Sequence, residues 1–123
     1  MLKIGIDLDN TIDSTVNSIA FFSLITSLLK GNAEVHIITN RNPMHRKETI
    51  EDLRVLGITY DYLELTANKS KYILDKGIGI YFDDTDEYFL DLPESVVVFK
   101  IREDGNFDFS DKKWFYGKDT GKL

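Results

Sequence analysis

The chain has 123 residues, of which 42% are hydrophobic and 29% charged, and this is typical of one globular domain rather than a disordered or fibrous chain. Its formal net charge is −6 and its basic residues are scattered, which excludes general coating of nucleic acid as a function. The chain has no cysteine, so disulfides, zinc–thiolate sites and thiol nucleophiles are excluded and a cytoplasmic location is expected.

The first half of the chain alternates strand-like and helix-like segments. Residues 2–6 are apolar and stop at Asp7, as a buried parallel strand does when it delivers polar groups to its carboxyl end. Residues 14–30 carry apolar side chains at helical spacing and end at Gly31. This segment is too short and too polar to span a membrane, so a buried helix and no membrane partner are expected. The next strand and helix are predicted at residues 35–38 and 43–56.

The alternation continues in the second half. Strands are predicted at residues 60–65, 78–82 and 96–101, and helices at residues 69–76 and 86–90. This order predicts an α/β fold, a Rossmann-like three-layer α/β/α sandwich with a mainly parallel five-stranded sheet. We expect one domain over residues 1–123, with the aromatic tail, residues 107–123, either packing back on the core or contributing to a partner surface.

Polar side chains follow three of the predicted strands directly. Asp7 and Asp9 follow the first, residues 39–41 follow the second, and Asp83 with Asp84 follows the fourth. Ligands of such sheets bind beyond the carboxyl ends of the strands, so these groups are expected to converge. Magnesium prefers oxygen ligands, and a cation keeps grouped carboxylates ionised at neutral pH. The sequence therefore predicts a Mg²⁺ site at this edge.

The same residue types suit phosphoryl transfer. An ionised Asp7 can attack phosphorus and form an aspartyl-phosphate, and Asp9 can act as general acid and then as base. The hydroxyl of Thr39, the backbone N–H groups of residues 40–42 and the ammonium of Lys69 can stabilise the charge that develops on the phosphoryl group.

Four motifs occur in order along the chain: Asp7-Leu8-Asp9-Asn10-Thr11, Ile37-Ile38-Thr39-Asn40-Arg41, Lys69, and Phe82-Asp83-Asp84. They resemble the pattern of the haloacid dehalogenase superfamily, and the second and fourth motifs are similar to its small 5'-nucleotidase/deoxyribonucleotidase branch. The resemblance implies a magnesium-dependent phosphatase and makes a nucleotide a candidate substrate.

The resemblance also implies roles for single residues. Asp7 would be the nucleophile, and Asp9 the acid/base that lends its backbone carbonyl to the metal. Thr39 would contact phosphate, together with Asn40 and Arg41, and Lys69 would neutralise charge, with Lys71 as a fallback. The metal ligands would be Asp7, Asp9, Asp83 and Asp84, one of the last two through water.

Larger members of that superfamily insert a cap domain after the first or the second motif. Here residues 12–33 and residues 42–68 leave no room for one. An uncapped site accepts a large substrate, borrows a lid from another subunit, or tolerates low selectivity. The expected partner is a phosphorylated small molecule or an accessible phosphorylated end of a larger substrate, and a homo-oligomer is left open.

Two functions compete with a phosphatase. A phosphotransfer protein of the receiver type also combines aspartate, hydroxyl and lysine on a parallel sheet, but with the acidic pair first in the chain. A non-catalytic module that binds a phosphorylated ligand is the other alternative.

Structural roles compete with the catalytic ones for single residues. Thr39 could instead cap a helix, Lys69 could lie on a solvated helix face, and Arg41 could pair with Glu48. Asp13 is expected to cap the first helix, and Thr11 to brace the motif loop. His36 and His45 are interpreted as ordinary core or surface residues.

Overall fold

A computed structural model describes residues 1–115, and residues 116–123 of the predicted tail lie outside the described part. Five strands form one sheet: β1 (Leu2–Ile6), β2 (Ala33–Thr39), β3 (Tyr62–Leu65), β4 (Ile80–Asp83) and β5 (Val97–Lys100). Their order is β3-β2-β1-β4-β5 and every pair is parallel. The predicted five-stranded parallel sheet is confirmed, and the ends of its strands differ from the predicted ones by at most two residues.

The helices lie between the strands as predicted. They are α1 (Val16–Leu29), α2 (Arg46–Leu56) and α3 (Lys69–Lys76), with short 3-10 turns at Pro43–His45 and Asp86–Tyr88. Only Phe22 and Thr26 of α1 are buried, and the sequence-based prediction of a buried helix is wrong for the rest. Among residues 1–115, no helix is long and apolar enough to cross a membrane.

The ends of the helices are set by local side chains. The hydroxyl of Thr15 accepts a hydrogen bond from the backbone N–H of Ser18 at 3.0 Å and caps α1. Asp13 was expected to be this cap, and that prediction is wrong: its carboxylate accepts from the N–H of Asn10 instead. The 3-10 turn before α2 is capped by Asn42, so Thr39 does not act as a cap and its hydroxyl is available to the sheet edge.

The core has two parts because alternate residues of a strand face opposite sides of the sheet. On one face, β-strand residues such as Ile6 and Ile37 pack with Phe22 of α1 and Leu53 of α2. On the other face, Ile38, Ile73, Ile78 and Tyr81 form a smaller cluster beneath α3. The three predicted layers follow from this division.

Gly5, at the centre of the sheet, is required by close packing. A Cβ atom added there would lie 2.9 Å from Cδ1 of Ile38 and 3.0 Å from the ring of Tyr81. The smaller core cluster therefore has no room for a side chain on β1 at this position.

A hairpin that the sequence analysis did not predict follows the sheet. Its strands are β6 (Phe107–Asp108) and β7 (Lys113–Trp114), paired antiparallel. The side-chain amide of Asn106, which is buried, donates to the backbone carbonyls of Asp84 and Ile101, each at 2.8 Å. This part of the tail is thereby tied to the end of β4, and the packing expected of residues 116–123 lies outside the described residues.

Candidate functional site

The carboxyl ends of β1, β2 and β4 surround a small open cavity of about 190 Å³. Because β1 lies between β2 and β4 in the sheet, the three predicted polar clusters meet there. The lining residues are Asp7, Asp9, Asn10, Thr39, Asn40, Lys69, Asp83, Asp84, Thr85 and Tyr88. Of the predicted site residues, only Arg41 is not part of this lining.

Lys69 is the buried cation of the site. It is the first residue of α3, after the Asn68 cap, and its side chain is 2% exposed. Its ammonium donates to Oδ1 of Asp7 at 2.8 Å and to Oδ2 of Asp83 at 3.0 Å. Burial disfavours the charged form, but the two carboxylates outweigh burial and raise the pKa of the Lys69 ammonium. The alternative that Lys69 lies on a solvated helix face is therefore wrong, and the exposed Lys71 pairs with Asp75 instead.

Three carboxylates form a group that could hold a metal ion. Asp7, Asp83 and Asp84 each offer an oxygen, and these oxygens lie within 4.8 Å of one another. Burial and the charge of Asp83 raise the pKa of the Asp7 carboxyl to about 6. Burial and the charge of Asp7 raise that of Asp84 to about 8. The single ammonium of Lys69 therefore does not cancel the repulsion among the three carboxylates, which a cation would relieve. A set of ligands made only of oxygens suits a hard divalent cation.

The two neighbouring aspartates differ in their free oxygens. Oδ1 of Asp83 accepts from the N–H groups of Asp84 and Thr85 at 2.7 and 3.0 Å, and its Oδ2 accepts from Lys69 and from the Tyr81 hydroxyl. The Asp84 carboxyl lies 3.4 Å from the Thr11 hydroxyl, and within residues 1–115 it accepts no hydrogen bond from a backbone N–H or from a lysine. Asp84 is therefore the better direct ligand, and Asp83 mainly positions Lys69.

The loop after β1 holds Asp7 in place. The hydroxyl of Thr11 donates to Oδ2 of Asp7 at 2.8 Å, and the backbone N–H of Asp7 donates to the carbonyl of Phe82 on β4. Asn10 has a φ of 61°, a left-handed conformation that asparagine tolerates better than most residues. Thr11 is completely buried, in agreement with its predicted role as a loop brace.

Arg41 pairs with Asp9 rather than with Glu48. Its guanidinium donates to both carboxylate oxygens of Asp9, at 2.9 and 3.0 Å, and to Asp52 of α2 at 2.7 Å. The hydrogen bond to Asp9 is the largest of the effects that raise the pKa of Arg41. The Asp9 side chain is 49% exposed and is not part of the metal-binding group. Whether its backbone carbonyl binds the metal stays a prediction.

Thr39 and Asn40 line the cavity at the carboxyl end of β2. Thr39 is 1% exposed and ends β2, and its hydroxyl accepts a 3.3 Å hydrogen bond from the N–H of Arg41.

Sequence reasoning missed three residues here: Asp52, which binds Arg41, Tyr81, which donates to Asp83, and Tyr88, whose ring lies 4.1 Å from the Lys69 ammonium. Their spacing along the chain gives no signal that they reach this edge.

A larger cavity of about 380 Å³ lies on the α3 side of the sheet beside His36. The two ring nitrogens of His36 are hydrogen-bonded to the Tyr72 hydroxyl at 2.7 Å and to Glu34 at 2.6 Å. This histidine is buried and bonded on both sides, in agreement with its interpretation as an ordinary core residue.

Comparison with known proteins adds a likeness of fold. No family model and no curated protein matches the chain. A chain in the structure of the Pnkp1/Rnl/Hen1 complex is similar, with a TM-score of 0.63 and 17% sequence identity. The similarity covers 84% of this chain and 47% of that one, so the chain spans about half the length of its structural relative. At this identity the match shows the α/β fold alone.

The predicted membership of the haloacid dehalogenase superfamily, near its nucleotidase branch, is therefore wrong. No family model supports it, and the structural relative belongs to the Pnkp1/Rnl/Hen1 complex. The physical reason lies in the motifs themselves. Carboxylates and a hydroxyl after parallel strands, with a lysine on the next helix, suit a site for an oxyanion and a cation at such a sheet edge. The ordered pattern is thus evidence for a site at this edge and not for membership of a family.

Proposed function

We propose that the chain is a magnesium-dependent phosphatase that hydrolyses a phosphate monoester through an aspartyl-phosphate on Asp7. One observation carries the proposal. Asp7 lies in the cavity with its two oxygens held by Lys69 and Thr11, next to two further buried carboxylates. A purely structural ion pair would not need three carboxylates around one lysine, because burying the excess charge is costly.

In the first step an oxygen of Asp7 forms a bond to phosphorus while the bond from phosphorus to the ester oxygen breaks. Asp7 suits this role because it is 4% exposed, and a poorly hydrated carboxylate is a better nucleophile than one in water. Lys69 and the hydroxyl of Thr39 are available to stabilise charge on the phosphoryl oxygens. Water then attacks the phosphorus of the aspartyl-phosphate, which restores Asp7 and releases inorganic phosphate.

The metal would be held by Asp7 and Asp84, with Asp83 contributing through water. When bound, Mg²⁺ supplies positive charge that offsets both the carboxylates and the phosphoryl group. Without it the site carries three acidic side chains against one lysine, and an incoming phosphate would be repelled.

Asp9 is proposed as the general acid and base. Its side chain pairs with Arg41 at the edge of the cavity, where a carboxylate can take a proton from the attacking water. Donation of a proton to the leaving alcohol requires that Arg41 release Asp9 first. A guanidinium binds phosphate oxygens as readily as carboxylates, so transfer of Arg41 from Asp9 to the substrate would achieve this and would give Arg41 its substrate-binding role.

The small size of the cavity supports recognition of the phosphoryl group rather than of the whole substrate. About 190 Å³ is below the range of roughly 300–1,000 Å³ of pockets that enclose a drug-sized ligand. The alcohol part would therefore remain outside. A phosphorylated metabolite, a nucleotide and the phosphorylated end of a larger molecule all meet this requirement.

Turnover of a phosphoester panel with Mg²⁺ tests the proposal. The panel contains nucleoside monophosphates, sugar phosphates, a chromogenic phosphate ester and 5'- and 3'-phosphorylated oligonucleotides. We expect Asp7→Asn to abolish turnover and Asp9→Asn to lower it at least ~100-fold. Asp75→Asn, a matched change on the exposed face of α3, should have no effect.

Four outcomes would contradict the proposal. The first is no turnover of any ester, and the second is undiminished turnover after Asp7→Asn. The third is tight magnesium-dependent binding of a phosphorylated ligand without turnover, which would favour a binding module. Stable phosphorylation at an aspartate other than Asp7 by a small phosphodonor, located by mass spectrometry, would favour a phosphotransfer protein.

A further inference from the structure

Asp52 of α2 contacts the site through Arg41 and has no part in the proposed reaction. Its Oδ2 accepts a hydrogen bond from Nη1 of Arg41 at 2.7 Å. The same Nη1 donates to the hydroxyl of Thr49 at 3.2 Å, and that hydroxyl is fixed because it donates to the backbone carbonyl of His45 at 2.8 Å. Thr49 and Asp52 are three residues apart and therefore lie on one side of α2. One edge of the guanidinium is thus attached to the helix.

The opposite edge of the Arg41 guanidinium has the geometry of an oxyanion site. Nε donates to Oδ2 of Asp9 at 3.0 Å, and Nη2 donates to Oδ1 of Asp9 at 2.9 Å. These two hydrogen bonds form the bidentate pair with which arginine also binds two oxygens of a phosphoryl group. We call Nε and Nη2 of Arg41 the guanidinium fork. In the free protein the carboxylate of Asp9 fills this fork.

The guanidinium fork is reached from the cavity through Asp9. Asp9 lines the cavity and Arg41 does not, so the fork becomes accessible to a ligand in the cavity when the Asp9 carboxylate turns away. The side chain of Asp9 is 49% exposed, which leaves it room to turn. Asp9 and a phosphoryl group therefore compete for the same two N–H groups.

An ordinary surface ion pair is the alternative explanation for Asp52. Arg54 and Glu51 of the same helix form such a pair, with side chains 70% and 58% exposed. The Arg41 side chain differs, because it is only 24% exposed and each of its three nitrogens has an acceptor. A long arginine side chain has many rotamers, and attachment at both edges holds its guanidinium in one orientation.

We propose that Asp52 is a positioning residue for substrate binding. It keeps Nη1 of Arg41 on α2 while the guanidinium fork exchanges the Asp9 carboxylate for two oxygens of the phosphoryl group. Arg41 then stays beside the cavity in both states. This role of Asp52 rests on the proposed function, since the ligand of the fork is the phosphoryl group of a monoester. Asp52 increases the affinity of the site for phosphate, and Asp9 in the fork decreases it.

Steady-state kinetics with the best ester of the panel at saturating Mg²⁺ test this role. Asp52→Ala should raise KM at least ~tenfold and change kcat by less than about threefold, because a misplaced fork weakens binding in the ground state and the transition state alike. Asp52→Glu, which keeps the carboxylate, should restore most of the affinity. The matched control is Glu51→Gln, since Glu51 neighbours Asp52 but pairs with Arg54, and it should leave both constants unchanged.

A double variant separates the positioning of Arg41 from a general effect on the fold. Arg41→Lys removes the fork, because lysine has no planar pair of N–H donors. In that background Asp52→Ala should change KM by less than about twofold. An undiminished increase in KM there would overturn the proposal, because Asp52 would then act on something other than Arg41. Circular dichroism verifies that each variant is folded.

Binding of orthophosphate in the presence of Mg²⁺ gives a measurement that needs no turnover. Orthophosphate should shift the ¹⁵N–¹H signal of Nε of Arg41, a signal that is assigned by its loss in Arg41→Lys. Asp52→Ala should raise the dissociation constant of orthophosphate at least ~tenfold. Asp9→Asn should lower this constant although it also lowers turnover, because an amide holds the guanidinium less strongly than a carboxylate does.

The two kinds of measurement distinguish failure of this role from failure of the proposed function. Turnover that depends on Asp7, with KM and orthophosphate binding unaffected by Asp52→Ala, would overturn the role of Asp52 and leave the phosphatase standing. Orthophosphate binding that depends on Asp52, without turnover of any ester, would support the role of Asp52 and contradict the phosphatase. An Arg41 signal that does not respond to orthophosphate would overturn the role of Asp52 whatever the turnover.

Discussion

Replacing Lys69 with methionine probes how much of the fold depends on one buried charge. Methionine keeps an apolar side chain of similar length but leaves Asp7 and Asp83 without the ammonium now 2.8 and 3.0 Å from their oxygens. Removing one partner of a buried ion pair costs about 3–5 kcal/mol, a large part of a total stability of about 5–15 kcal/mol. We therefore expect this loss at about pH 8 in the absence of divalent cations.

The loss should depend on pH in a defined direction. The pKa of Asp7 is already raised to about 6 in the presence of Lys69, and removal of the ammonium raises it further. A carboxyl with a raised pKa in the folded state holds its proton at low pH, and its destabilising charge appears as pH increases through that pKa. At about pH 5 Asp7 is mostly neutral, and the loss should fall below about 2 kcal/mol.

Urea denaturation followed by far-UV circular dichroism, at both pH values in chelator, measures these differences. The matched control is Lys71→Met, because the Lys71 side chain is 68% exposed and pairs with Asp75 on the helix surface. Its effect should stay within about 0.5 kcal/mol. Two results would refute the reasoning: a loss for Lys69→Met as small as that of the control, or an equal loss at both pH values.

Three further predictions concern the carboxylates and the packing beneath them. Without magnesium, the free energy of unfolding should decrease from about pH 5 to pH 8. The reason is that Asp7 and Asp84, with pKa values of about 6 and 8, hold protons in the folded state that the unfolded chain has lost. Saturating Mg²⁺ should flatten this pH profile, and a free energy that rises with pH would contradict the reasoning. Asp84→Asn should raise the magnesium concentration for half-maximal turnover at least ~tenfold. Asp83→Asn should mainly lower the free energy of unfolding, by about 1–3 kcal/mol, because the oxygens of Asp83 are already hydrogen-bonded within the protein. Equal magnesium requirements in the two variants would contradict these separate roles of Asp83 and Asp84. Gly5→Ala should lower the free energy of unfolding by about 1–3 kcal/mol in urea titrations. The control Gly79→Ala, whose Cβ would lie 3.9 Å from Leu2, should lower it by less. Equal effects would show that the contact at Gly5 is not tight.

The fold was predictable because its signals are local. Each strand is a short apolar run, and Gly57 and Gly77 end α2 and α3 in the left-handed conformation that glycine adopts readily. The hairpin after β5 was not predictable in this way. Its strands have two residues each, and such short runs show no periodicity.

The motif pattern also misled in one respect. It correctly indicated which side chains meet, but it suggested a family that the comparisons do not support. Similar chemistry recurs on unrelated proteins, because carboxylate, hydroxyl and ammonium groups suit an oxyanion and a cation whatever the origin of the chain. A pattern of this kind is better evidence for a site than for an ancestor.

By itself the sequence determined the order of strands and helices and the edge at which Asp7, Thr39 and Asp83 meet, since parallel strands carry their carboxyl ends to one side. Only the tertiary structure decided that Lys69 is buried and that Arg41 binds Asp9, residues separated by 32 positions. It alone also left one side of the uncharged α1 open to solvent. Burial and pairing of charges depend on which helix covers which strands, and that depends on long-range packing rather than on any local segment of the chain.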